Sequence, residues 1–434
     1  MRVLRFSVEG YKNLTARIDL RDLDAVTAIY GPNNVGKSNL LEALGLPFAL
    51  METSEQGRLP LGGRFSLSPQ VMSDLGYPFG EIINLSRPTP ISLEIDVEIG
   101  AEEWASAGLA STGPVAAAPL SLALRIDVGP SGPAWTVTRF LLSDGTDLAA
   151  GSAGSAEAQR ATPYAQFLAG RVLTGGAWTQ VRRIQAIHVH RGAPGYGRGV
   201  VPAALKLALY DCQESTVRVE RKRWVLFRTL VGQFEDITGA REVRAVFNRK
   251  ENSAEIVIER GDALLPLHLM GTGVQQLITL CGTLATSGAS VAVIEEPEAN
   301  LSFKLQLRLR EALRGLAGGE TLSQILFTTH SPGFQAGPDF YAMRPGAAGP
   351  ELVRAPSEQL PLVTGLAAEG AEPATGSAPR SWVTEDGLVR LPENVIEGLG
   401  ISQGGGVSFL QNADGTFRIL TDEQALSELG WDEA

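Results

Sequence analysis

Residues 31–38 read GPNNVGKS, a complete match to the phosphate-binding pattern G-x-x-x-x-G-K-[ST]. The apolar run Val26–Tyr30 predicts a buried strand before this loop, and Ser38–Leu46 predicts a helix after it. In a strand, loop and helix of this kind, backbone N–H groups and the positive end of the helix bind an anion. The stretch therefore predicts a phosphate site, in preference to a glycine turn followed by a chance Lys-Ser pair.

The loop should work with an acidic strand end further along the chain. We expect Lys37 to reach the terminal phosphates of a nucleotide and the Ser38 hydroxyl to ligate Mg²⁺. Residues 291–301 read VAVIEEPEANL, which predicts a strand buried on both faces with two carboxylates at its C-terminal end. Glu295 is predicted to hold Mg²⁺ through water, and Glu296 to orient and deprotonate the attacking water. The alternative is a core strand followed by a solvated acidic turn.

A third apolar strand, Gln324–Phe327, is followed by Thr328, Thr329 and His330. An isolated histidine is more often a core or surface residue than a functional one. After a strand of this type, its imidazole can hydrogen-bond the γ-phosphate or the attacking water. His330 is therefore predicted to report which nucleotide is bound.

A second glycine-rich helix start lies between the loop and the carboxylates. Residues 270–276 read MGTGVQQ and lead into a predicted helix with an apolar face. Two anion-binding helix ends in one chain fit a nucleotide shared by two protomers that meet head to tail, each capping the other's γ-phosphate. The alternative is that Gly271 and Gly273 only cap this helix.

Taken in order, these four segments resemble the ABC-type ATPase heads of the RecF, SMC and OLD group. The opening is also similar, with Phe6–Val8 followed by the turn Tyr11, Lys12, Asn13 and Leu14. The resemblance covers roughly residues 1–355. It implies an α/β P-loop NTPase fold, in which a mixed sheet with helices is joined to an antiparallel β subdomain.

The resemblance implies ATP and Mg²⁺ as ligands, and it assigns roles residue by residue. Glu296, Lys37 and His330 would be catalytic, His330 as the switch histidine, and Ser38 and Glu295 would hold the metal. The residues implied to bind nucleotide are Asn33, Asn34, Val35, Gly36, Lys37, Ser38 and Asn39 on one protomer, with Gly271, Thr272, Gly273 and Gln275 acting from the opposite protomer.

Several positions depart from the group's pattern or match it weakly. The signature lacks the usual Ser-Gly-Gly-Gln form, and Ser302 stands where relatives often carry His. Gln70 is a weak candidate for the Q-loop glutamine, and Arg191 follows the strand-like 184–189 where relatives often have a site-facing Arg.

The middle of the chain carries fewer signals. Ile91–Ile99 and Leu122–Val128 alternate as strands do, and we expect them to be edge strands of the head joined by flexible loops. Residues 202–238 are predicted to be helical and include Arg218, Arg221, Lys222 and Arg223 beside Trp224. This basic run either contacts nucleic acid or is a solvated helix face.

The composition divides the chain into a head (residues 1–365), a linker (366–380) rich in Ala, Glu, Gly and Pro, and a small β-rich C-terminal module (381–434). The module resembles the AbrB/MazE swapped-hairpin class, in which two chains intertwine. The matching residues are Gly387, Leu391, Pro392, Leu399, Gly400, Gly404 and Val407. From Ser381 to Ala434 two basic residues stand against ten acidic ones, a balance of −8, which favours dimerisation of the heads over binding of operator DNA.

Bulk composition fits a cytoplasmic protein without a membrane partner. The 434 residues carry a net charge of −11 and two cysteines, and no apolar run approaches the roughly twenty residues that a membrane helix needs. The sequence has no heptad run of the kind that forms an SMC-like coiled coil. It also has no cluster of carboxylates after His330 that would predict a nuclease domain. Any nuclease or toxin activity is therefore expected in a separate effector.

These features predict a dimeric switch that binds and hydrolyses ATP and controls a nucleic-acid process or an associated effector. The family resemblance sets it in anti-phage defence or DNA maintenance. One alternative is a regulatory, antitoxin-like DNA-binding protein that acts through its C-terminal module, with nucleotide as a structural ligand. Another is the ATPase subunit of a membrane transporter.

Overall fold

The computed structural model divides the chain into two compact units, Met1–Leu360 and Pro361–Ala434. In the first unit it describes residues 1–52, 61, 64–74, 76–83, 90–100, 119–129, 132–143, 145–149, 178–181, 201–240, 242–250, 252–261, 263–319, 322–331, 334 and 339–356. In the second it describes residues 382–383, 389–390, 407–411, 417–421 and 424.

The secondary structure below follows chain order. The helices are α1 (Lys37–Glu52), α2 (Pro69–Asp74), α3 (Phe79–Ile82), α4 (Ala203–Glu214), α5 (Arg218–Gly232), α6 (Glu235–Thr238), α7 (Thr272–Ser287) and α8 (Phe303–Leu316). The strands of the first unit are β1 (Arg2–Glu9), β2 (Ile18–Arg21), β3 (Val26–Tyr30), β4 (Phe65–Ser66), β5 (Ile91–Glu98), β6 (Pro119–Gly129), β7 (Gly132–Leu141), β8 (Trp178–Val181), β9 (Glu242–Asn248), β10 (Ser253–Arg260), β11 (Ala263–Pro266), β12 (Val291–Glu295), β13 (Gln324–Thr329), β14 (Asp339–Arg344) and β15 (Glu351–Pro356). Among these helices, none has the length and apolarity needed to cross a membrane.

A six-stranded, mostly parallel sheet carries the three strands singled out in the sequence. Its order is β15-β14-β3-β13-β12-β8, and only the edge strand β15 runs antiparallel to its neighbour. All six residues of β13 are buried, as are the first four of β12. The parallel arrangement brings the C-terminal ends of β3, β13 and β12 to one edge, as the sequence predicts.

A second six-stranded sheet is antiparallel throughout, in the order β2-β1-β5-β6-β7-β4. The prediction that residues 91–99 and 122–128 form edge strands is wrong, because β5 and β6 lie in the interior of this sheet. Alternation in β5 correctly indicates that one face is buried. It carries no information on which strands lie on either side, since those partners are distant in sequence.

Helix α1 lies in the hydrophobic core between the two sheets. One buried cluster joins its residues 40–51 to β1, β5 and β6 of the antiparallel sheet and to Val291, Val293 and Leu326 of the parallel sheet. Such burial on several sides explains an apolar composition all round the helix. The helix continues through Pro47 to Glu52, further than the sequence pattern indicates.

The helices predicted within residues 202–238 are confirmed as α4, α5 and α6. Helix α5 packs against α7, and α4 packs against β9 and β10. Strands β11, β10 and β9 form a separate three-stranded antiparallel sheet beside them. Helix α7 is thus held by α5, and β10 contacts residues 267–269 just before the glycine-rich start of α7.

In the second unit the described residues form two short antiparallel pairs. Strand β16 (Trp382–Val383) pairs with β17 (Val389–Arg390), and β18 (Val407–Gln411) pairs with β19 (Phe417–Thr421). Apart from Val407, the residues that carry the AbrB/MazE resemblance lie outside the described residues, and so does the linker 366–380. The swapped-hairpin fold and the domain limits stay predictions.

Candidate functional site

The loop between β3 and α1 closes in a conformation that only glycine fits at two positions. A Cβ atom on Gly31 would lie 2.4 Å from the Met343 carbonyl oxygen, and one on Gly36 would lie 2.7 Å from Asn13 Oδ1. Gly36 also has φ +112°, and Asn34 adopts a left-handed conformation with φ +63°. The loop thus presents its backbone at the start of α1, where N–H groups and the helix dipole favour an anion.

Lys37 is the first residue of α1 and folds back over the loop. Its Nζ donates to the carbonyl oxygens of Gly31 (2.7 Å) and Pro32 (2.9 Å), and the residue is only 5% exposed. Burial lowers the pKa of Lys37, while the carboxylates of Glu296, Glu298 and Glu295 act in the opposite direction. A cation is therefore held between the loop and the acidic strand end, where terminal phosphates would meet it.

The side chains of Ser38 and Glu295 meet at the edge of the parallel sheet, where the Ser38 hydroxyl donates to Glu295 Oε1. The two residues are 257 positions apart in sequence, and the neighbouring ends of their elements bring them together. A hydroxyl and one carboxylate fit Mg²⁺, which in nucleotide sites takes one or two protein oxygens together with phosphates and water. The residues present therefore fit the predicted metal site.

Glu296 directly follows β12 and has an unusual backbone. Its φ is +42°, a conformation that costs free energy for a residue other than glycine, and its N–H donates to the Thr328 carbonyl oxygen at 3.1 Å. The residue is 8% exposed, and its Oε1 lies 3.9 Å from His330 Nδ1. The structure thus brings together the predicted general base and the predicted switch histidine.

A further carboxylate, Glu298, sits beneath His330 and was not among the sequence predictions. Glu298 Oε1 accepts from the Thr329 hydroxyl at 2.5 Å and from the His330 backbone N–H at 3.1 Å. The same oxygen is 3.7 Å from His330 Nδ1. The sequence signal that could have found Glu298 is the run EEPE at residues 295–298, directly after a buried strand. This run adds a third carboxylate close to the end of the neighbouring strand.

Asn13 is a second residue that the sequence interpretation left without a role. It lies in the turn after β1, where its Nδ2 donates to the Val35 carbonyl oxygen (3.3 Å) and its Oδ1 accepts from Asn39 Nδ2 (2.8 Å). The neighbouring Lys12 pairs with Glu42 of α1 at 2.6 Å. This turn therefore supports the phosphate loop from behind, close to Gly36.

The second glycine-rich segment is partly open and partly packed. Gly271 and Thr272 at the start of α7 are exposed, whereas Gln275 is 6% exposed and donates to the Met270 carbonyl oxygen at 2.7 Å. A Cβ on Gly273 would lie 2.6 Å from the Asn300 carbonyl oxygen, and Asn300 Nδ2 donates to Gln276 Oε1 at 3.0 Å. The start of α7 therefore packs against the turn that follows Glu296. The role of this segment towards a second protomer stays a prediction.

The remaining candidate residues lie apart from these contacts or outside the described ranges. Arg218, Arg221 and Lys222 are exposed on α5, while Trp224 packs against Phe227 with ring centroids 5.4 Å apart. Gln70 is exposed at the start of α2 and donates to Asp74 at 2.8 Å. Arg191 lies outside the described residues. Nucleic-acid contact and the Q-loop assignment stay predictions.

Comparison with known families gives one domain match. The chain matches the family described as "AAA domain, putative AbiEii toxin, Type IV TA system" over residues 26–104 and 215–335. These segments include the phosphate loop, α7 and the strand ends that carry Glu295, Glu296 and His330. No curated protein gives a significant match to the chain.

Comparison with solved structures identifies SMC head domains. An SMC head bound to the C-terminal winged-helix domain of ScpA covers 83% of this chain and 99% of its own, with 13% identity and a TM-score of 0.51. An SMC head with an extended coiled coil, bound to the C-terminal domain of ScpA from Pyrococcus furiosus, covers 82% of this chain and 97% of its own, with 13% identity and a TM-score of 0.48. At these identities the likeness concerns the fold. The sheets, the phosphate loop and the likeness to the first of these structures support an α/β fold similar to that of an SMC head.

Proposed function

We propose that this chain, whose fold is similar to that of an SMC head, binds and hydrolyses ATP and acts as a dimeric switch on a separate effector or nucleic acid. The observation that carries this proposal is the meeting of Ser38 with Glu295 beside Lys37, at the edge where Glu296 and His330 also lie. A chance glycine turn would not bring five polar side chains of this chemistry together.

The loop residues bind and orient the triphosphate in this proposal. Backbone N–H groups at the start of α1 bind phosphate oxygens, and the Lys37 ammonium turns from the loop carbonyls to the terminal phosphates. The Ser38 hydroxyl and the Glu295 carboxylate would hold Mg²⁺. When bound, the ion neutralises charge on the phosphate oxygens.

Glu296 and His330 act on the far side of the γ-phosphate. The Glu296 carboxylate orients the attacking water and accepts its proton. His330, whose side chain is 53% exposed, donates a hydrogen bond to the γ-phosphate or contacts the water. The surrounding structure holds the backbone of Glu296 at φ +42°, and its carboxylate acts electrostatically on Lys37 at the start of α1.

The dimeric part of the proposal rests on the second helix start. Gly271 and Thr272 are exposed and carry backbone N–H groups at a helix N-terminus, so they can cap the γ-phosphate bound to a second protomer. The C-terminal module, with its AbrB-like sequence, would keep two heads close enough to pair when ATP binds. The family description names a putative toxin and a type IV TA system, which supports a defence setting.

The decisive experiment is phosphate release by Glu296→Gln. We expect release to fall by roughly 10²- to 10⁴-fold, the usual contribution of a general base, while ATP affinity is kept. Light scattering should then show an ATP-dependent dimer that accumulates because hydrolysis no longer separates the heads. Glu311→Gln on the exposed face of α8 is the control and should hydrolyse ATP normally.

Unchanged phosphate release by Glu296→Gln would exclude Glu296 as the general base and, with it, the proposed switch. A wild type that binds ATP without releasing phosphate would leave nucleotide as a structural ligand, as the regulatory alternative requires. A monomer in saturating ATP and Mg²⁺ would exclude the shared site even if hydrolysis persisted.

A further inference from the structure

Glu298 is a buried carboxylate next to the reacting groups that has no assigned role in the proposed hydrolysis. Its side chain is 2% exposed. A carboxylate removed from water costs free energy unless hydrogen bonds or charges compensate it. Accordingly, burial raises the pKa of Glu298, with the Thr329 hydroxyl and the His330 N–H acting against the shift. A residue kept at this cost calls for a functional explanation.

The contacts of Glu298 converge on one neighbour. Its Oε1 accepts from the Thr329 hydroxyl and from the backbone N–H of His330, and it lies 3.7 Å from His330 Nδ1. Its Oε2 is buried and has no hydrogen-bond partner in the described structure. Two hydrogen bonds thus hold Oε1 next to the imidazole, while Oε2 can still accept a further hydrogen bond.

The imidazole of His330 needs such a partner. Its side chain is 53% exposed, so packing alone does not fix the ring. The charged groups that face it among the described residues are Glu296 at 3.9 Å and Glu298 at 3.7 Å, and Lys37 acts electrostatically on both carboxylates. Glu296 already has a task towards water in the proposed hydrolysis, whereas the side-chain hydrogen bonds of Glu298 within the described residues go to the strand end that carries the histidine.

We propose that Glu298 is the positioning residue of His330: its carboxylate accepts the Nδ1–H of the imidazole, which fixes the ring and leaves the unprotonated Nε2 to accept a hydrogen bond from the attacking water. Donation from Nε2 to the γ-phosphate would require the doubly protonated ring. The bond that a histidine makes through one ring nitrogen sets the tautomer and direction of the other. Hydrogen bonds of this type are often long without substrate and tighten when substrate binds. The catalytic consequence rests on the proposed ATPase function, while the tautomer does not.

The first test observes the imidazole itself. Full-length protein labelled with ¹⁵N-histidine contains four histidines, so the His330 ring signals can be assigned with His330→Asn. At about pH 8, above the ordinary pKa of imidazole, we expect the Nδ1–H tautomer to dominate in the wild type. Glu298→Met, which keeps volume but has no acceptor, should shift His330 to the Nε2–H tautomer or to a mixture. Glu298→Gln, which keeps one acceptor oxygen, should give an intermediate spectrum and covers the case in which Glu298→Met fails to fold.

Glu255→Gln is the matched control for this spectrum. Glu255 lies 3.9 Å from Nδ1 of a different histidine, His268, and pairs with Lys206. It should leave the His330 signals unchanged. An unchanged His330 tautomer in both Glu298 variants would overturn the proposal, whatever the rate of hydrolysis.

The second test is a double-mutant cycle on hydrolysis. Glu298→Gln should lower kcat by roughly 10- to 100-fold, as loss of an orienting partner usually does, and change KM for ATP by less than about twofold. In a His330→Asn background, Glu298→Gln should have almost no further effect because its influence passes through the imidazole. An equal loss in both backgrounds would show that Glu298 acts independently of His330 and would overturn the proposal.

The two tests separate this inference from the proposed function. A wild-type protein without ATPase activity contradicts the proposed function, and the spectrum of the nucleotide-free protein still decides the tautomer. Normal hydrolysis by the wild type with no tautomer change in the variants contradicts the positioning role alone.

Discussion

The two glycine-rich helix starts of the head differ in how they are built. At α1 a Cβ on Gly31 would meet the Met343 carbonyl oxygen of β14, and one on Gly36 would meet Asn13 in the turn after β1. At α7 a Cβ on Gly273 would meet the carbonyl oxygen of Asn300, in the turn that follows Glu296. Gln275 Nε2 donates to the Met270 carbonyl oxygen, while Gln275 Oε1 has no hydrogen-bond partner among the described residues. The first start thus packs against β14 and the turn after β1, while the second packs against the turn that follows Glu296.

Because the two helix starts are built differently, we expect substitutions at one start to have effects that can be separated from those at the other. A defect at α1 should remove nucleotide binding directly. A defect at α7 should leave binding intact and disturb the steps that need both the catalytic turn and a second protomer. Three substitutions test these effects separately, and they follow from the largest expected effect to the smallest.

Gly36→Ala should have the largest effect. The new Cβ would lie 2.7 Å from Asn13 Oδ1 at a residue with φ +112°, which together cost about 3 kcal/mol in the binding-competent loop. ATP affinity should then fall by about a hundredfold, measured by titration with a fluorescent nucleotide. Gly315→Ala in α8, where a Cβ meets no atom within 4 Å, should bind ATP normally. Equal affinities of Gly36→Ala and wild type would contradict the loop geometry.

Gly273→Ala should affect hydrolysis more than binding. Its Cβ would lie 2.6 Å from the Asn300 carbonyl oxygen, so either α7 or the turn after Glu296 must move. We expect steady-state phosphate release to fall by about tenfold, with ATP affinity within about twofold of wild type. Gly232→Ala at the end of α5, with open space around the site, is the control. A parallel loss of affinity would show that the two helix starts are not separable.

Asn300→Gly should have the smallest effect. The substitution keeps the left-handed backbone, φ +60°, and removes the hydrogen bond to Gln276, which leaves Gln276 Oε1 without this donor. The free energy of unfolding should fall by about 1 kcal/mol in urea titrations. Asn252→Gly, at φ +48° in the β9–β10 turn, is the same substitution without that bond and should change stability less. Equal losses in the two variants would mean that the contact with Gln276 contributes nothing measurable.

The sequence correctly predicts that the phosphate loop meets the ends of β12 and β13, because its signals there are local. The phosphate loop has a fixed spacing, and β12 and β13 are short apolar runs whose polar ends meet when the strands are parallel. It fails where the information is not local. The alternation in β5 does not show that β1 and β6 flank it, and nothing near Asn13 indicates that it supports Gly36 from a distant turn. Glu298 lies between these cases. Its place after the buried strand β12 can be read from the sequence, whereas its contacts with Thr329 and His330 on the neighbouring strand cannot.

The order of strands in the parallel sheet has a consequence for synthesis of the chain. Strand β3 pairs with β13 and β14, about 300 residues later in sequence, and the side chain of Gln324 bonds both the N–H and the carbonyl oxygen of Val3. At the usual pace of roughly 5–20 residues per second, the ribosome would release β3 some 15 seconds or more before its partners exist. During that interval the nascent head exposes an unpaired apolar strand, so chaperone protection should be needed until residue 344 has emerged.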